Sequence, residues 1–437
     1  MTIPVIAHAD SANIVRTLWH GSPLTVFERL SLLSFLKHGH VVEVYAYGDF
    51  DVPPGVTLCD ANEVLPESDV FSYADGPAKG SFAAFSNLFR ITLLAERGGI
   101  WADADLLCLR PLSDLPDACV GRHQEDWLNG AFLKFPAGHP VCTEIAASAI
   151  ALGSDIHLGQ MSGLVTEAVA GGDTDCVMLP VPALYPVSWN DTWRLVDPDE
   201  RERCEALAAS SHCVHWWNTA ITIGLGMPKD RLPPVGSYLY EHAVDILPPS
   251  DRAAWPIETA RPWIERFRQR QADDARARGR RPAPDAEAIA RLMAAPGATL
   301  GDWAHERLEA SLQVMVYGDT THRLLTRDAN DAAIFTPQTR QDHAAVPFIP
   351  LEPAGRGRAI EIVLEGGPAA DAYCPAILQD QDYNRLATVW WRGEGVTRRV
   401  VAVGPDVSQV RLVFQSQRLR PARLPGRAHI IDHRESR

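Results

Sequence analysis

Five pairs of aspartates separated by a single residue occur in this 437-residue chain. They are Asp49/Asp51, Asp103/Asp105, Asp173/Asp175, Asp197/Asp199 and Asp380/Asp382. Carboxylate oxygens bind Mg²⁺ and Mn²⁺, which in turn take phosphate oxygens as further ligands. Four pairs lie in polar segments, where aspartate is a frequent turn residue. Asp103/Asp105 alone lies between two apolar runs, GIWA and LLCL, so this pair is the candidate for a site.

The two carboxylates of this pair can serve one site only if the strand ends there, because successive side chains on a strand face opposite ways. One acid could then bind a metal ion while the other contacts a ribose hydroxyl or a metal-bound water. The implied ligand is a nucleotide diphosphate. The chain has no GxxxxGK[ST] sequence to hold phosphates through backbone amides. On spacing alone, an Asp-rich strand end with solvated side chains explains the pair equally well.

The elements around the pair alternate between strand-like and helix-like patterns over about the first 250 residues. We predict strands at 14–21, 41–48 and 131–135, and helices at 22–39 (with Ser22 as N-cap), 81–99 (capped by Ser81), 140–152 and 159–171. This alternation predicts an α/β domain with a largely parallel sheet. In such sheets the ligand crevice lies at the carboxyl ends of the strands, which is where Asp103 and Asp105 fall.

The sequence pattern changes near residue 250. We predict an α/β domain at 1–255, a charged helical linker at 256–298 and a β-sandwich-like accessory domain at 299–437, because short alternating runs such as AIEIVLEG and RRVVAVG are typical of antiparallel strands. In that domain Trp390 or Trp391 could stack on a sugar ring, although a core tryptophan is the more usual explanation.

The net charge of −14 excludes a nucleic-acid binder with a basic face. Negative charge also opposes general adhesion to anionic membranes, although the Arg-rich segment 263–285 leaves peripheral membrane contact open. We expect no secretory signal and no membrane-spanning helix, because the first residues lack a basic and then apolar region and no run of about 18 apolar residues occurs. The eight scattered cysteines indicate reduced thiols, and hence a cytoplasmic protein.

Five blocks, in the same order across residues 14–225, give the chain a family resemblance. They are FSNLFRITLLAERGGIWADADLLCLRPL, NGAFLKFPAGHP, GQMSGLVTEAV, YPVSW and VHWWN. Together they resemble the DXD-motif retaining glycosyltransferases, which include α1,4-galactosyl, α1,4-N-acetylglucosaminyl and yeast mannosyl transferases. The resemblance implies a GT-A (Rossmann-like) fold, a nucleotide-sugar donor (most often UDP-linked), a glycan or glycoconjugate acceptor and a divalent metal, commonly Mn²⁺, with Mg²⁺ as the alternative.

The resemblance also implies residue roles. Asp105 corresponds to the direct metal ligand, Asp103 to the residue that contacts ribose or metal-bound water, and His215 to a further metal or diphosphate contact. Arg90 corresponds to the helix arginine that reaches the donor. Asn87 departs from the family, which usually has an aspartate there that bonds the donor sugar, so the sugar cannot be transferred from relatives.

Several further residues are site candidates. Asn129 and Gln160 could steady the sugar or the acceptor, and equally could cap a loop or a helix. The helix that carries Asn87 and Arg90 on one face is predicted to bury Phe82, Phe85, Phe89 and Leu93 on the other. We expect at most one of Trp216 and Trp217 to face the site. The remaining candidates for substrate binding are Gly99, Gly130, Trp217, Asn218 and Trp19.

The predicted activity is metal-dependent sugar transfer with retention of anomeric configuration. Retention needs either a double displacement or attack on the face that the leaving group vacates, and no nucleophilic carboxylate is obvious in NGAFLKF or GQMSG. Same-face attack is therefore favoured. Two alternatives stay open: an inactive, glycan-binding scaffold, which Asn87 favours, and a sugar-phosphate or nucleotidyl transferase.

Overall fold

A computed structural model gives the fold of most of the chain. It describes residues 11–21, 23–73, 79–124, 127–155, 160–170, 174–277, 292–294, 297–304, 312–315, 325–327, 333–335, 343–352, 358–365, 376–389, 395–404, 406–415, 422–425 and 427–434. The chain divides into two compact units, the first made of residues 1–169 and 173–273 and the second of residues 170–172 and 274–437. Trp390 and Trp391 lie outside the described residues.

The described residues of the first unit include nine strands and eight α-helices, the last of which ends four residues past the boundary at Asp273. Its strands are β1 (Ile14–Trp19), β2 (Val41–Ala46), β3 (Val56–Asp60), β4 (Gly99–Ala102), β5 (Leu106–Cys108), β6 (Cys119–Gln124), β7 (Trp127–Phe135), β8 (Val177–Leu179) and β9 (Cys213–His215). Its helices are α1 (Val26–Lys37), α2 (Ala83–Arg97), α3 (Pro140–Leu152), α4 (Gln160–Ala170), α5 (Val181–Leu184), α6 (Arg201–Ala208), α7 (Tyr238–Val244) and α8 (Ile257–Ala277).

Seven of these strands form one sheet in the order β3-β2-β1-β4-β7-β6-β8. Strands β3, β2, β1 and β4 run parallel, as do β6 and β8, whereas β7 is antiparallel to both of its neighbours. The prediction of an α/β unit with a mostly parallel sheet is confirmed. Strands β5 and β9 pair separately as a two-stranded antiparallel ribbon.

The beginning of α1 differs from the prediction. The N-cap is Thr25, not Ser22, which lies outside the described residues. Thr25 and Glu28 form a capping box. The Thr25 side chain accepts from the backbone N–H of Glu28, and the Glu28 carboxylate accepts from the backbone N–H of Thr25. The T-x-x-E spacing carries this signal in the sequence. It places the Glu28 carboxylate in the interior, fully buried.

Helix α2 packs one face into the core of this unit. Phe85, Phe89 and Leu93 are buried as predicted, but Phe82 is 46% exposed, so its assignment to the core was wrong. The physical reason is position: Phe82 is the N-cap residue, so it precedes the first helical turn and contacts the ring of His20 instead. Helix α2 ends at Gly98, and β4 starts directly after it.

Helix α8 covers part of the segment predicted as a linker. Ala260, Ile264 and Phe267 on this helix are buried in an apolar cluster with residues of the first unit such as Trp193 and Leu225. No helix of the described residues is long and apolar enough to cross a membrane. The seven cysteines that the structure describes are free thiols.

The second unit is antiparallel β in all the strand pairs described. Its strands are β10 (Ala298–Ala304), β11 (Gln313–Met315), β12 (Leu325–Arg327), β13 (Ala333–Phe335), β14 (His343–Ala345), β15 (Ile349–Pro350), β16 (Arg358–Glu365), β17 (Ala376–Asp380), β18 (Arg385–Val389), β19 (Val396–Val403), β20 (Gln409–Phe414), β21 (Ala422–Arg423) and β22 (Arg427–His433).

Two larger sheets dominate this unit, with strand orders β10-β22-β16-β19 and β11-β14-β20-β17-β18. Side chains from both sheets form one buried apolar cluster, including Ile362 of β16, Leu378 of β17 and Leu412 of β20. Two sheets that share a core in this way form a sandwich-like layer structure.

Candidate functional site

The two aspartates of the DAD sequence lie in a turn at the end of β4. The Asp103 N–H donates to the carbonyl of Ala131 on β7, and the Leu106 N–H donates back to the Asp103 carbonyl. The strand therefore ends at Ala102 and resumes at Leu106 as β5. This interruption is the condition under which both carboxylates can serve one site.

Asp105 is held by the segment that follows β9. In the β5–β9 ribbon Leu106 is the register partner of His215, which brings the VHWWN sequence beside the turn. His215 Nε2 lies 2.9 Å from Asp105 Oδ1. The Asn218 N–H donates to Asp105 Oδ2 over 2.8 Å. Both oxygens of this carboxylate are thus oriented by residues more than 100 positions away in the sequence.

Asp103 is held by α2 and β4. The Arg90 guanidinium lies 3.1 Å from Asp103 Oδ1, and the indole N–H of Trp101 donates to the same oxygen over 2.7 Å. Arg90 also donates to the carbonyl of Gly130 and lies over the Trp101 ring at 5.1 Å from its centroid. Since Arg90 is almost fully buried, its charge is directed at Asp103 and not at solvent.

The pKa values of the two aspartates are shifted in opposite directions. Burial raises the pKa of Asp103, with the charge of Asp105 adding to the rise and Arg90 opposing it. Burial also disfavours the charged form of Asp105, but His215 and the Asn218 N–H outweigh it and hold the pKa of Asp105 below its usual value. A bound cation would relieve the mutual repulsion of the pair.

Asn87 lies one turn before Arg90 on α2, and its amide donates to the hydroxyl of Tyr73 over 2.9 Å. Both residues are buried. Burial raises the pKa of Tyr73, and the charges of Arg90 and Asp103 also act on this hydroxyl. Tyr73 therefore belongs to the surroundings of the site, although no motif in the sequence indicated it.

Aromatic rings surround His215. The Trp217 ring lies 4.0 Å from the His215 ring, between centroids, and Tyr185 and Trp189 each lie 5.9 Å from Trp217. The Trp217 backbone has φ of 54°, a left-handed conformation that is rare for a bulky residue. Trp216 is buried in the core, and Trp217 is the one of the two tryptophans whose ring lies beside His215.

A second ion pair adjoins the Asp105 side of the site. The buried carboxylate of Glu28 pairs with the ammonium of Lys229 and lies 3.4 Å from the side-chain amide of Asn218. The Lys229 ammonium also lies 5.9 Å from the centre of the Trp19 ring. Lys229 was missed from the sequence because a lone lysine in a loop carries no spacing signal.

The remaining predicted site residues have structural contacts of their own. Asn129 accepts from the Ala131 N–H, and Gln160 is the buried first residue of α4. Gly99 has φ of 93° and lies against the Arg16 guanidinium. A Cβ at Gly130 would lie 3.1 Å from the Arg90 guanidinium, so this glycine lets Arg90 reach its carbonyl.

The residues of the site offer donor atoms suited to a divalent cation. No group of three or more His, Cys, Asp or Glu side chains in the described ranges is placed to hold a metal by itself. The closest contacts of Asp103 both fall on Oδ1, which leaves Oδ2 the less engaged oxygen. His215 Nδ1 and Asn218 Oδ1 are buried without a hydrogen-bond partner among the described residues. Such atoms fit a cation that keeps waters and ligand oxygens.

This part of the chain is similar in sequence to known proteins. Residues 47–123 match a family model described as a glycosyltransferase sugar-binding region containing a DXD motif. Lactosylceramide 4-alpha-galactosyltransferase from Homo sapiens is 28% identical over 149 residues, which cover 30% of this chain and 41% of that protein. The protein of that name from Gorilla gorilla gorilla is also 28% identical, over 44% of its length. The chain thus spans less than half the length of these relatives.

Among solved structures, CBM29_1, a family 29 carbohydrate-binding module from Piromyces equi, is 10% identical. The alignment covers 31% of this chain and 87% of that one, and its TM-score of 0.20 is too low to indicate a shared fold. The resemblance to DXD glycosyltransferases that the five motifs indicated is confirmed by the family match and the galactosyltransferase relatives.

Proposed function

We propose, because residues 47–123 match a glycosyltransferase sugar-binding region that contains a DXD motif, that this chain moves a sugar from a nucleotide-diphosphate donor to a glycan or glycoconjugate hydroxyl. The donor we propose is UDP-linked, the fold of the first unit is GT-A, and the anomeric configuration is retained. Free thiols at the seven described cysteines support a reducing, cytoplasmic location.

One observation carries this proposal: the turn after β4 presents two carboxylates, each oriented by a different partner side chain. Arg90 holds Asp103 and His215 holds Asp105. Structural aspartates at a turn need neither partner, since their side chains are solvated or bond the local backbone. Carboxylates fixed in this way are instead pre-organised for a ligand, which is the condition for strong stabilisation of a transition state.

The carboxylate oxygens of Asp103 and Asp105 would hold a divalent cation, Mn²⁺ or Mg²⁺, with water and diphosphate oxygens as its remaining ligands. When bound, such an ion neutralises the charge that accumulates on a departing diphosphate. His215 keeps the Asp105 carboxylate oriented, and Arg90 does the same for Asp103. The Lys229 ammonium adds positive charge on the Asp105 side, since it lowers the pKa of that group.

For retention we favour attack on the face that the leaving group vacates. The carboxylates in contact with the site are already engaged: Asp103 by Arg90, Asp105 by His215, and Glu28 by Lys229. The bond from the acceptor oxygen to the anomeric carbon forms as the bond from that carbon to the phosphate oxygen breaks. The acceptor proton passes to the departing phosphate. The sugar is oxocarbenium-like in between, as in glycoside hydrolysis.

The test is donor turnover by the full chain with a panel of UDP- and GDP-sugars, with and without Mn²⁺. We expect metal-dependent release of a nucleoside diphosphate, and loss of that release in Asp105→Asn with a melting temperature within a few degrees of the original. Asp51→Asn, an exposed aspartate of another DxD pair in the same unit, is the matched control and keeps full activity.

The reaction products distinguish a glycosyltransferase from the two alternative functions. Release of nucleoside monophosphate or pyrophosphate would identify a sugar-phosphate or nucleotidyl transferase instead. No turnover with any donor, together with no thermal stabilisation by donor and metal, would mean an inactive transferase-like protein.

A further inference from the structure

An exposed tyrosine stands at the tip of the hairpin between β17 and β18 in the second unit. Tyr383 is 64% exposed, and its backbone has φ of 63°. This left-handed conformation is unfavourable for a side chain of this size and is usually taken by Gly or Asn. The fold of the hairpin would therefore be served better by a smaller residue at this position.

The hairpin around Tyr383 is fixed by its neighbours. The buried carboxylate of Asp380 accepts from the backbone N–H groups of Asp382 and Asn384 and from the Asn384 side chain. The side-chain Oε1 of Gln381 accepts from the Ser408 N–H on the adjoining loop. These bonds hold the strained backbone in one conformation, so the Tyr383 ring is presented in a defined position.

The ring is supported from one side. The Arg411 guanidinium lies 5.0 Å from the centre of the Tyr383 ring and 4.7 Å from that of Phe348. The two rings meet edge to face, with centroids 5.6 Å apart. Arg411 is itself almost fully buried and donates twice to the Gln379 side-chain oxygen. Arg411 and Phe348 thus support the Tyr383 ring, while most of the tyrosine side chain remains in solvent.

This arrangement adds little to the core. A left-handed backbone is unfavourable for a bulky residue, and Tyr383 leaves most of its side chain in solvent. Strain held by a rigid hydrogen-bonded turn is typical of binding sites.

We propose that Tyr383, with Phe348 beside it, is a glycan-binding platform. A flat aromatic face in solvent packs against the C–H face of a sugar ring, and the exposed Asp382 carboxylate and Asn384 side-chain oxygen on the same turn can accept from its hydroxyls. The platform is far smaller than the roughly 800 Å² per partner of a stable protein interface. The choice of a glycan rests in part on the proposed function, since an enzyme that elongates a glycan gains from holding one.

The test is native affinity electrophoresis of the full chain in gels that contain a soluble polysaccharide: galactomannan, xylan, mixed-linkage β-glucan or dextran. No donor is added and EDTA is present. We expect at least one polysaccharide to retard the protein, and Tyr383→Asn to weaken that binding by about tenfold or more. Tyr383→Phe keeps the retardation. Val396→Ala, an exposed aliphatic residue of the same unit, is the control and also keeps it.

A second measurement excludes misfolding. Since asparagine tolerates the left-handed backbone, Tyr383→Asn should melt at the same or a higher temperature than the original protein. Retardation of Tyr383→Asn equal to that of the original, or no retardation of the original by any of the four polysaccharides, would overturn the proposal. Asp105→Asn should be retarded like the original, so loss of donor turnover and loss of glycan binding are told apart.

Discussion

Arg90 is the residue on which the position of Asp103 most depends. Its guanidinium contacts both Asp103 and the Gly130 carbonyl while lying over Trp101. Lysine keeps the charge but cannot make this forked contact or stack on the indole. We expect Arg90→Lys to lower donor turnover by about tenfold or more, as measured by nucleoside diphosphate release.

The matched control for Arg90 is Arg97→Lys, at the last turn of the same helix. Arg97 contacts Glu63 and the Tyr45 hydroxyl, away from the aspartate turn. Turnover by Arg97→Lys should stay near the original. If the two variants lose activity equally, the effect belongs to α2 in general and Arg90 has no special role.

Asn87 is where this chain departs from the pattern of the glycosyltransferases that it resembles, and in the structure its side chain has a hydrogen-bond partner. The Asn87 amide donates to the Tyr73 hydroxyl, whereas an aspartate could only accept from it. We expect Asn87→Asp to change the order of preference among UDP-sugars and to lower the melting temperature, because it buries a further carboxylate near Asp103. An unchanged donor ranking in a hydrolysis panel would remove Asn87 from the determinants of specificity.

At the scale of elements, the passage from α2 into β4 depends on Gly99. This residue has φ of 93°, and a Cβ there would lie 2.9 Å from the carbonyl oxygen of Ser11 and against Arg16. Gly99→Ala should therefore lower the free energy of unfolding by the left-handed penalty, about 1–2 kcal/mol, and by an overpacking term of about 1–3 kcal/mol. Denaturant unfolding measures the sum.

Gly39→Ala isolates the first of these terms. Gly39 has φ of 83°, but a Cβ there would have no neighbour within 4 Å. Gly39→Ala should lower the free energy of unfolding by about 1–2 kcal/mol only. Equal losses at both positions would show that Gly99 is needed for its backbone conformation and not for the close approach of Arg16.

Most elements that carry the site could be predicted from the sequence, since hydrophobic periodicity and Gly stops are local signals. Helix α2 and strand β4 are of this kind, whereas the interruption at Asp103 was stated only as the condition for a site that both carboxylates share. The β5–β9 ribbon could not be predicted in this way, because it pairs two three-residue strands that are distant in the sequence. Only the family motif indicated that His215 belongs with Asp105. Phe82 was misassigned because periodicity does not show where the first helical turn begins.

At the scale of the whole molecule, the described residues form two units with separate apolar cores. Chains of this kind commonly unfold in more than one cooperative step. We expect two calorimetric transitions. Only one of them should move to a higher midpoint temperature when a UDP-sugar and Mn²⁺ are added. The rise corresponds to about 2.7 kcal/mol when the ligand is at 100 times its Kd.

Asp105→Asn should abolish this rise without removing either transition. A single transition that shifts as a whole would mean that the units unfold together. Tyr383→Asn, by contrast, should leave the ligand-dependent rise intact, because the change lies in the second unit.

The bond from the Asn218 N–H to Asp105 also has a consequence for the order in which the protein matures on the ribosome. The two residues are 113 positions apart. At a synthesis rate of 5–20 residues per second, the aspartate turn waits on the order of ten seconds for this partner. Arg90 emerges before Asp103 and is available to it at once, whereas the two partners of Asp105, His215 and Asn218, are synthesised only later. The nascent chain therefore acquires its two aspartates well before it has a competent site.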